Sequence, residues 1–418
     1  MANIQKPKGT MDILPDKSYV WQYIEKNIRE VAALSGYGEI RFPTFEVTEL
    51  FDRGVGDTTD IVQKEMYTFT DKDGRSLSLR PEGTACVVRS IIENGLCAQA
   101  MPLKLYYLSN FFRYEKPQAG RSREFFQFGV ETFGADSSLA DAEVILLASD
   151  VFKRLGVKSV VLKLNSIGCN ECRGDFRSAL KAYFTDKKEG LCDTCKGRLE
   201  TNPLRILDCK CPQCKEIAAD APKTVDYLCD NCKAHFEGLK GLLDKAGIKY
   251  EVDPFIVRGL DYYTGTVFEF VSDIGAQSTV CGGGRYDTLV SSLGGPKLSG
   301  VGFGMGITRL IAAMEMDGVI PEDPSAPDIF IASACASARE RAYLLTRELR
   351  ALGCKAECEL CGRSLKAQMK YADKKGAAFN IVLGDDELEQ NKAKLKNMRD
   401  GESTEVALSA DEIYKIIR

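Results

Sequence analysis

The stretch Arg258-Gly-Leu-Asp-Tyr-Tyr-Thr-Gly-Thr-Val-Phe-Glu-Phe270 constrains this chain more than any other. From Thr264 to Val271 the residues alternate and are rich in β-branched and aromatic types, so this part is expected to be a strand. An Arg, an Asp and two Tyr then stand at the strand's entrance, beside two Gly that let backbone come close. Such a group suits a polar pocket carried on a rigid sheet. The plainer alternative is a strand with an aromatic core face and a surface Arg.

At 418 residues the chain suits about two to three domains, each burying its own core. No apolar run reaches the length of a membrane span and residues 1–10 hold no apolar signal core, so a cytoplasmic protein without membrane contact is expected. A net charge of −4 leaves no general nucleic-acid footprint, and RNA contact would need local basic patches. Much of the Cys falls in CxxC pairs, which in a chain without a signal peptide points to reduced thiols, some of them metal ligands. His235 is the single His, so Arg, carboxylates, metal-bound phosphate or Cys must carry any catalysis.

Pro7 to Pro15 is turn-rich, and Asp16 to Leu34 carries Trp21, Ile24, Ile28 and Val31 on one side, the pattern of an amphipathic helix. Residues 36–45 read as a strand broken at Pro43, which cannot donate to a ladder and belongs at an edge or interface. Residues 65–70 and 76–80 alternate as a hairpin around Asp71 to Gly74 and deliver Arg80-Pro-Glu-Gly-Thr84 to a helix over Ala85 to Glu93. Glu82 and Thr84 suit an ammonium group there, and Thr84 is also a fitting helix cap. Leu105 to Arg113 and Phe125 to Phe133 read as paired strands around the basic loop 116–123. Arg113 and Glu115 share one face of an extended segment, and Gln127 and Glu131 share another. A helix over 139–155 and a strand over 160–164 follow.

From about Cys169 to Tyr250, Cys and Lys become frequent and helical patches alternate with knuckles, marking a separate module. The Gly-rich stretches Cys281 to Asp287 and Gly300 to Leu310 have neither the spacing nor the βαβ context of a dinucleotide fingerprint. They read as backbone lying close beneath a nucleotide, with Arg309 in the first turn of the next helix. Prolines at 321, 324 and 327 mark a linker, and beyond them strands and helices alternate as a mostly parallel α/β domain. Arg363, Lys366, Lys370, Lys374 and Lys375 cluster there on one helix and the loop before it, as a solvated face or an RNA contact.

The stretch 258–270 resembles the histidine-specific signature of histidyl-tRNA synthetases. The opening Pro7 to Pro15, the Pro43 element, Phe112-Arg-x-Glu115 with its basic loop, and Gly300 to Leu310 resemble that family's opening and motifs 1, 2 and 3 of class II aminoacyl-tRNA synthetases. The resemblance implies an α+β catalytic domain with an antiparallel sheet flanked by helices (1–168 and 253–320) and an inserted Cys-rich, mainly helical module (169–252). It further implies a linker (321–327) and a C-terminal α/β anticodon-binding domain (328–418). The implied activity is ATP-dependent ligation of L-histidine to tRNA(His) through histidyl-adenylate, with Mg2+ accompanying ATP, in a homodimer joined through motif 1. Carried over residue by residue, Glu82 and Thr84 hold the α-amino group, Gln127 meets the amino acid, Glu131 and Tyr263 meet the imidazole, and Tyr262 lines the same pocket. Arg113 binds the α-phosphate, Glu115 and Arg121 contact ATP, Phe125 stacks on adenine and Arg309 reaches the γ-phosphate. Arg258 and Arg113 are the implied catalytic residues, Arg258 neutralising charge at the α-phosphate. Many relatives carry Glu before the motif 3 Arg; Thr308 stands there here, without an assigned role. Two alternatives are a non-catalytic regulatory paralogue of histidine biosynthesis, which loses motif residues and the anticodon domain, and a synthetase for another amino acid, which lacks the signature at 258–263.

Cys192-x-x-Cys195 and Cys211-x-x-Cys214 are spaced like two knuckles closing on one structural Zn2+, with Cys209 and His235 in reserve. Cys229-x-x-Cys232 with Cys169-x-x-Cys172 offers a second site. Reduced Cys without metal is the alternative reading.

Overall fold

Pro15 sits in the first turn of helix α1 (Pro15–Leu34), where its missing N–H is not needed, and Trp21, Ile24, Ile28 and Val31 form the buried side. The structure, a computed structural model, describes residues 3–56, 59–118, 120–207, 209, 211–256, 260–274 and 278–418. Arg258 therefore lies outside the described residues. The chain divides into two compact units, Met1–Pro321 and Glu322–Arg418.

After α1 come β1 (Gly38–Glu39) and β2 (Phe45–Val47), in place of one broken strand. They join different sheets, with Pro43 between them unable to extend either ladder. Helix α2 (Thr48–Val55) leads to the hairpin β3 (Thr68–Thr70) and β4 (Ser76–Leu79), which turns at Gly74 with φ +82° and pairs with β2 in a three-stranded sheet. Then follow α3 (Thr84–Glu93), β5 (Leu103–Phe112), β6 (Glu124–Phe133), α4 (Ser138–Arg154) and β7 (Val161–Ser166). The Cys-rich segment supplies α5 (Asn170–Asp186), α6 (Asp193–Thr201), α7 (Leu204–Leu207), α8 (Pro212–Ala219) and α9 (Asp230–Lys245). The unit closes with β8 (Tyr250–Val252), β9 (Thr264–Val271), β10 (Thr279–Arg285), α10 (Leu289–Ser292), β11 (Gly300–Gly306) and α11 (Ile307–Met316).

The large sheet has the order β1-β5-β6-β11-β10-β9-β7-β8. Its six middle strands run antiparallel, and only the edge strands β1 and β8 pair in parallel. One core joins side chains of α1, α4, α9 and α11 to Phe128, Val130, Phe268 and Phe303 of the sheet. A second core joins α2, α3 and α10 to Tyr107, Phe111, Phe133 and Val267. The Cys-rich segment is mainly helical, as expected, but only α5 to α8 build a core of their own, around Phe176, Leu180, Phe184 and Ile206. Helix α9 instead buries Phe236, Leu239 and Leu243 in the first core.

The second unit alternates β12 (Ile329–Ser333), α12 (Ala338–Ala351), β13 (Ala356–Cys358), α13 (Leu365–Lys374) and β14 (Phe379–Leu383), whose strands pair in parallel. Helix α14 (Asp385–Gln390), the strands β15 (Lys392–Asn397) and β16 (Ser403–Ala407), and α15 (Ala410–Ile417) complete it. Its sheet order, β13-β12-β14-β15-β16, ends in two antiparallel pairings.

Candidate functional site

Register brings distant carboxylates and hydroxyls together over β6 and β11. Glu131 faces Gly302 across that pair, and a Cβ at Gly302 would overlap the Glu131 carboxylate, so glycine is required for the side chain to lie there. Thr84, at the start of α3, donates its hydroxyl to Glu131 Oε1 (2.8 Å), and Tyr286 donates to Oε2. Burial pushes the Glu131 carboxyl up to about 8 against the pull of these two hydrogen bonds. Glu82 accepts the backbone N–H groups of Thr84 (2.8 Å) and Ala85 (2.7 Å), and Tyr262 donates to it at 3.4 Å. Burial raises its pKa as well, opposed by those N–H donors. The Tyr263 ring packs on Tyr262, with centroids 4.8 Å apart, and both meet Tyr286 edge-on. Glu82, Thr84, Glu131, Tyr262 and Tyr263 thus converge in one buried group. Tyr286 belongs to it too, although the sequence reading assigned it nothing.

Beside this group lies a cavity of about 270 Å3 whose walls include Arg113, Glu115, Arg121, Phe125, Gln127 and Arg309. Pairing of Phe111 with Phe125 and Phe112 with Glu124 leaves Arg113 at the strand end, where its Nε donates to Pro81 O (2.8 Å) and its guanidinium lies 5.3 Å from the Phe125 ring centroid. Arg121 Nε is 3.1 Å and Arg113 4.0 Å from the Glu115 carboxylate. Glu115 Oε2 is buried and accepts no hydrogen bond among the described residues. Arg309 donates to Thr279 O (2.7 Å) and Gly120 O (3.1 Å). Its burial, with Arg121 nearby, draws it below the usual guanidinium range. Three guanidinium groups, Arg113, Arg121 and Arg309, against the two lining carboxylates Glu115 and Glu269 leave excess positive charge for a polyphosphate, and the Glu115 carboxylate stands paired with Arg121 at the cavity wall. Thr308 lines the same cavity.

The thiols form a different kind of site. In the four CxxC pairs of the Cys-rich segment the first Cys stands at the N-cap position of a helix and the second lies in its first turn, at the starts of α5, α6, α8 and α9. Two tetrads result: Cys169, Cys172, Cys229 and Cys232, and Cys192, Cys195, Cys209 and Cys214, with sulfurs within 4.8 Å of one another. Sγ separations of 3.6 Å (Cys169–Cys172), 4.0 Å (Cys169–Cys229) and 3.9 Å (Cys192–Cys209) are far too long for disulfides. They match the edge of about 3.8 Å that a tetrahedron with Zn–S bonds of about 2.3 Å requires. Cys211, expected as a ligand, is outside the group and Cys209 takes its corner. The turn closed by Cys209 N–H on Ile206 O (3.1 Å) carries that thiol to Cys192, while Cys214 accepts the Cys192 N–H (3.3 Å). His235 joins neither tetrad: it pairs with buried Asp141 (3.1 Å), which Arg285 also meets at 2.5 Å.

Comparison with known proteins identifies the family of the chain. The family model for histidyl-tRNA synthetase matches residues 9–183 and 204–310, and the model for an anticodon binding domain matches 328–418. A curated histidine–tRNA ligase of Acetivibrio thermocellus is 57% identical over 405 residues, covering 97% of each chain. One of Caldicellulosiruptor bescii is 54% identical over 397 residues, covering 95% of this chain and 94% of that one. The crystal structure of apo S. aureus histidyl-tRNA synthetase superimposes with a TM-score of 0.83 at 40% identity, covering 99% of this chain and 100% of that one. With two thirds of its length under one family model and relatives above half identity along nearly all of it, the chain belongs to the histidyl-tRNA synthetase family.

Proposed function

We propose that this chain ligates L-histidine to tRNA(His) in two steps. The histidine carboxylate attacks the α-phosphate of MgATP, forming histidyl-adenylate and releasing pyrophosphate; a terminal tRNA hydroxyl then takes the histidyl group and AMP leaves. The observation that carries this reading is the adjacency of a buried cluster of carboxylates and tyrosines and an Arg-lined cavity on one sheet, with Gln127 in the wall of the cavity. Glu82 and Thr84 receive the α-amino group, Glu131 and Tyr263 the imidazole, with Tyr262 packed behind them. Arg113, Arg121 and Arg309 bind the phosphates, Glu115 accepts from the adenine amino group and Phe125 stacks on the ring. Arg113 and Arg258 neutralise charge as the carboxylate approaches phosphorus, a reaction that needs positioning and cations more than a proton relay. Pyrophosphate exchange into ATP, tried with each amino acid in turn, tests the assignment. Exchange with histidine alone is expected, and exchange with another amino acid, or none, would overturn it.

The match of an anticodon binding model to 328–418 disfavours the non-catalytic alternative, since such paralogues lose that domain. Exposed Lys366, Lys370, Lys374 and Lys375 on and after α13 supply cations for tRNA phosphates. Phe45, Val47 and Phe69 expose apolar side chains on the three-stranded sheet, a surface suited to a homodimer through motif 1. Sedimentation at micromolar concentration should give twice the chain mass. No helix among the described residues is long and apolar enough to cross a membrane, in keeping with work in the cytoplasm. Cys192, Cys195, Cys209 and Cys214 suit one structural Zn2+, whose tetrahedral demand would clamp α6 and α8 together.

A further inference from the structure

The other tetrad stands where the Cys-rich segment leaves and rejoins the sheet. Cys169 and Cys172 open α5 just beyond β7, and Cys229 and Cys232 open α9, which is packed in the main core. The Cys229 N–H donates to Cys172 Sγ at 3.0 Å, so the two helix starts already face each other. Arg173 comes directly after Cys172. Its guanidinium donates to the carbonyl of Tyr263 and, at 3.3 Å, to that of Ile167. Tyr263 immediately precedes β9, and its neighbour Tyr262 reaches Glu82. The strands beside this link are tightly tied, Ile167 N–H to Gly265 O (2.8 Å) and Gly265 N–H to Gly168 O (3.0 Å). One charged side chain therefore runs from the thiol tetrad to the backbone of the pocket.

We propose that Cys169, Cys172, Cys229 and Cys232 bind one zinc ion, and that this ion positions the histidine pocket through Arg173. With four thiolates around the metal, the first turn of α5 has one orientation, and the Arg173 guanidinium, extending from that turn, holds the Tyr263 carbonyl and so the ring beside it. Arg173 is a positioning residue; it touches no substrate. The proposal rests on the reading of Tyr262 and Tyr263 as histidine-binding groups.

Four variants test it, purified without chelator, with zinc per chain measured by mass spectrometry and histidine and ATP KM by pyrophosphate exchange. Cys229→Ser keeps a good helix cap, so α9 should still form. It is expected to hold one zinc fewer than the unmodified chain and to raise histidine KM about tenfold, with ATP KM moving less than about twofold. Arg173→Met should keep its zinc and show the same split, Arg173→Lys should recover part of the loss, and the Cys229→Ser, Arg173→Met pair should be no worse than either alone. Unchanged zinc content in Cys229→Ser would overturn the metal site. Loss of zinc with unaltered histidine KM, or an unaltered KM in Arg173→Met, would overturn the coupling. Absence of histidine-dependent exchange in the unmodified chain would instead overturn the functional reading and leave the zinc count to judge the site alone.

Discussion

At Glu131, burial and hydrogen bonding pull in opposite directions, and burial prevails, holding the carboxyl up to about 8 against an ordinary 4.5. Because the folded value lies above the unfolded one, the folded chain keeps a proton that the unfolded chain has lost between those two pH values. Stability from this group therefore falls as pH rises through that window. Glu131→Gln should remove this slope, so that its melting temperature drops less than that of the unmodified chain between about pH 6 and about pH 8. The same variant cannot give up a proton and meet the imidazole as a carboxylate. Its histidine KM should rise about tenfold or more while ATP KM stays put, and equal weakening of both ligands would indicate a folding defect instead. Arg258→Ala should act differently, lowering the rate of adenylate formation far more than the affinity for either substrate, because its charge matters as the new bond forms. Single-turnover measurements separate the two effects, and an unchanged exchange rate would remove Arg258 from catalysis. Glu82, Thr84 and Glu131 were legible because each sits in a motif with its chemistry visible. Tyr286 was not: its partner Glu131 is 155 positions away, and only the stacking of β10, β11 and β6 joins them.

Elements were legible where one period governed them. Helix α1 and strand β9 lie where periodicity set them, within a residue. The region 36–45 misled because a continuous extended pattern hides a change of sheet, which needs the partner strands to be seen. Strand β15 alternates Lys with Ala and Leu, but Lys and Ala are weak strand formers, so its antiparallel pairing with β14 and β16 carried little signal. The knuckles show a related limit: Cys209-x-Cys211-x-x-Cys214 presents two sulfurs for one corner, and spacing favours Cys211 where the grouped thiols include Cys209. Cys209→Ser should accordingly lose one zinc and loosen α6 to α8, lowering tRNA charging more than histidine-dependent exchange, whereas Cys211→Ser should keep full metal content. If Cys211→Ser loses the ion and Cys209→Ser retains it, the tetrad is misassigned.

Across the whole molecule, the Cys-rich segment and the alternating α/β pattern stand out in the sequence because composition and periodicity change there. A prediction for the second unit follows from its basic helix: Lys366→Ala with Lys370→Ala should weaken tRNA binding and flatten its dependence on salt by roughly one log unit per lost phosphate contact, leaving histidine-dependent exchange intact. A salt slope equal to that of the unmodified chain would return these lysines to a merely solvated face. Helix α9 was the feature hardest to foresee, because its thiols point to the inserted segment while Phe236, Leu239 and Leu243 complete the core of the sheet. That double allegiance divides the segment into a part whose packing is its own and a part on which the sheet depends. The stretch 184–203, from the end of α5 through α6, packs in the segment's own core, so a change of size there would leave the sheet every side chain it packs against. An excision reaching α9 would instead open a hole beneath α4, so the freedom to diversify ends well before the chain returns to the strands.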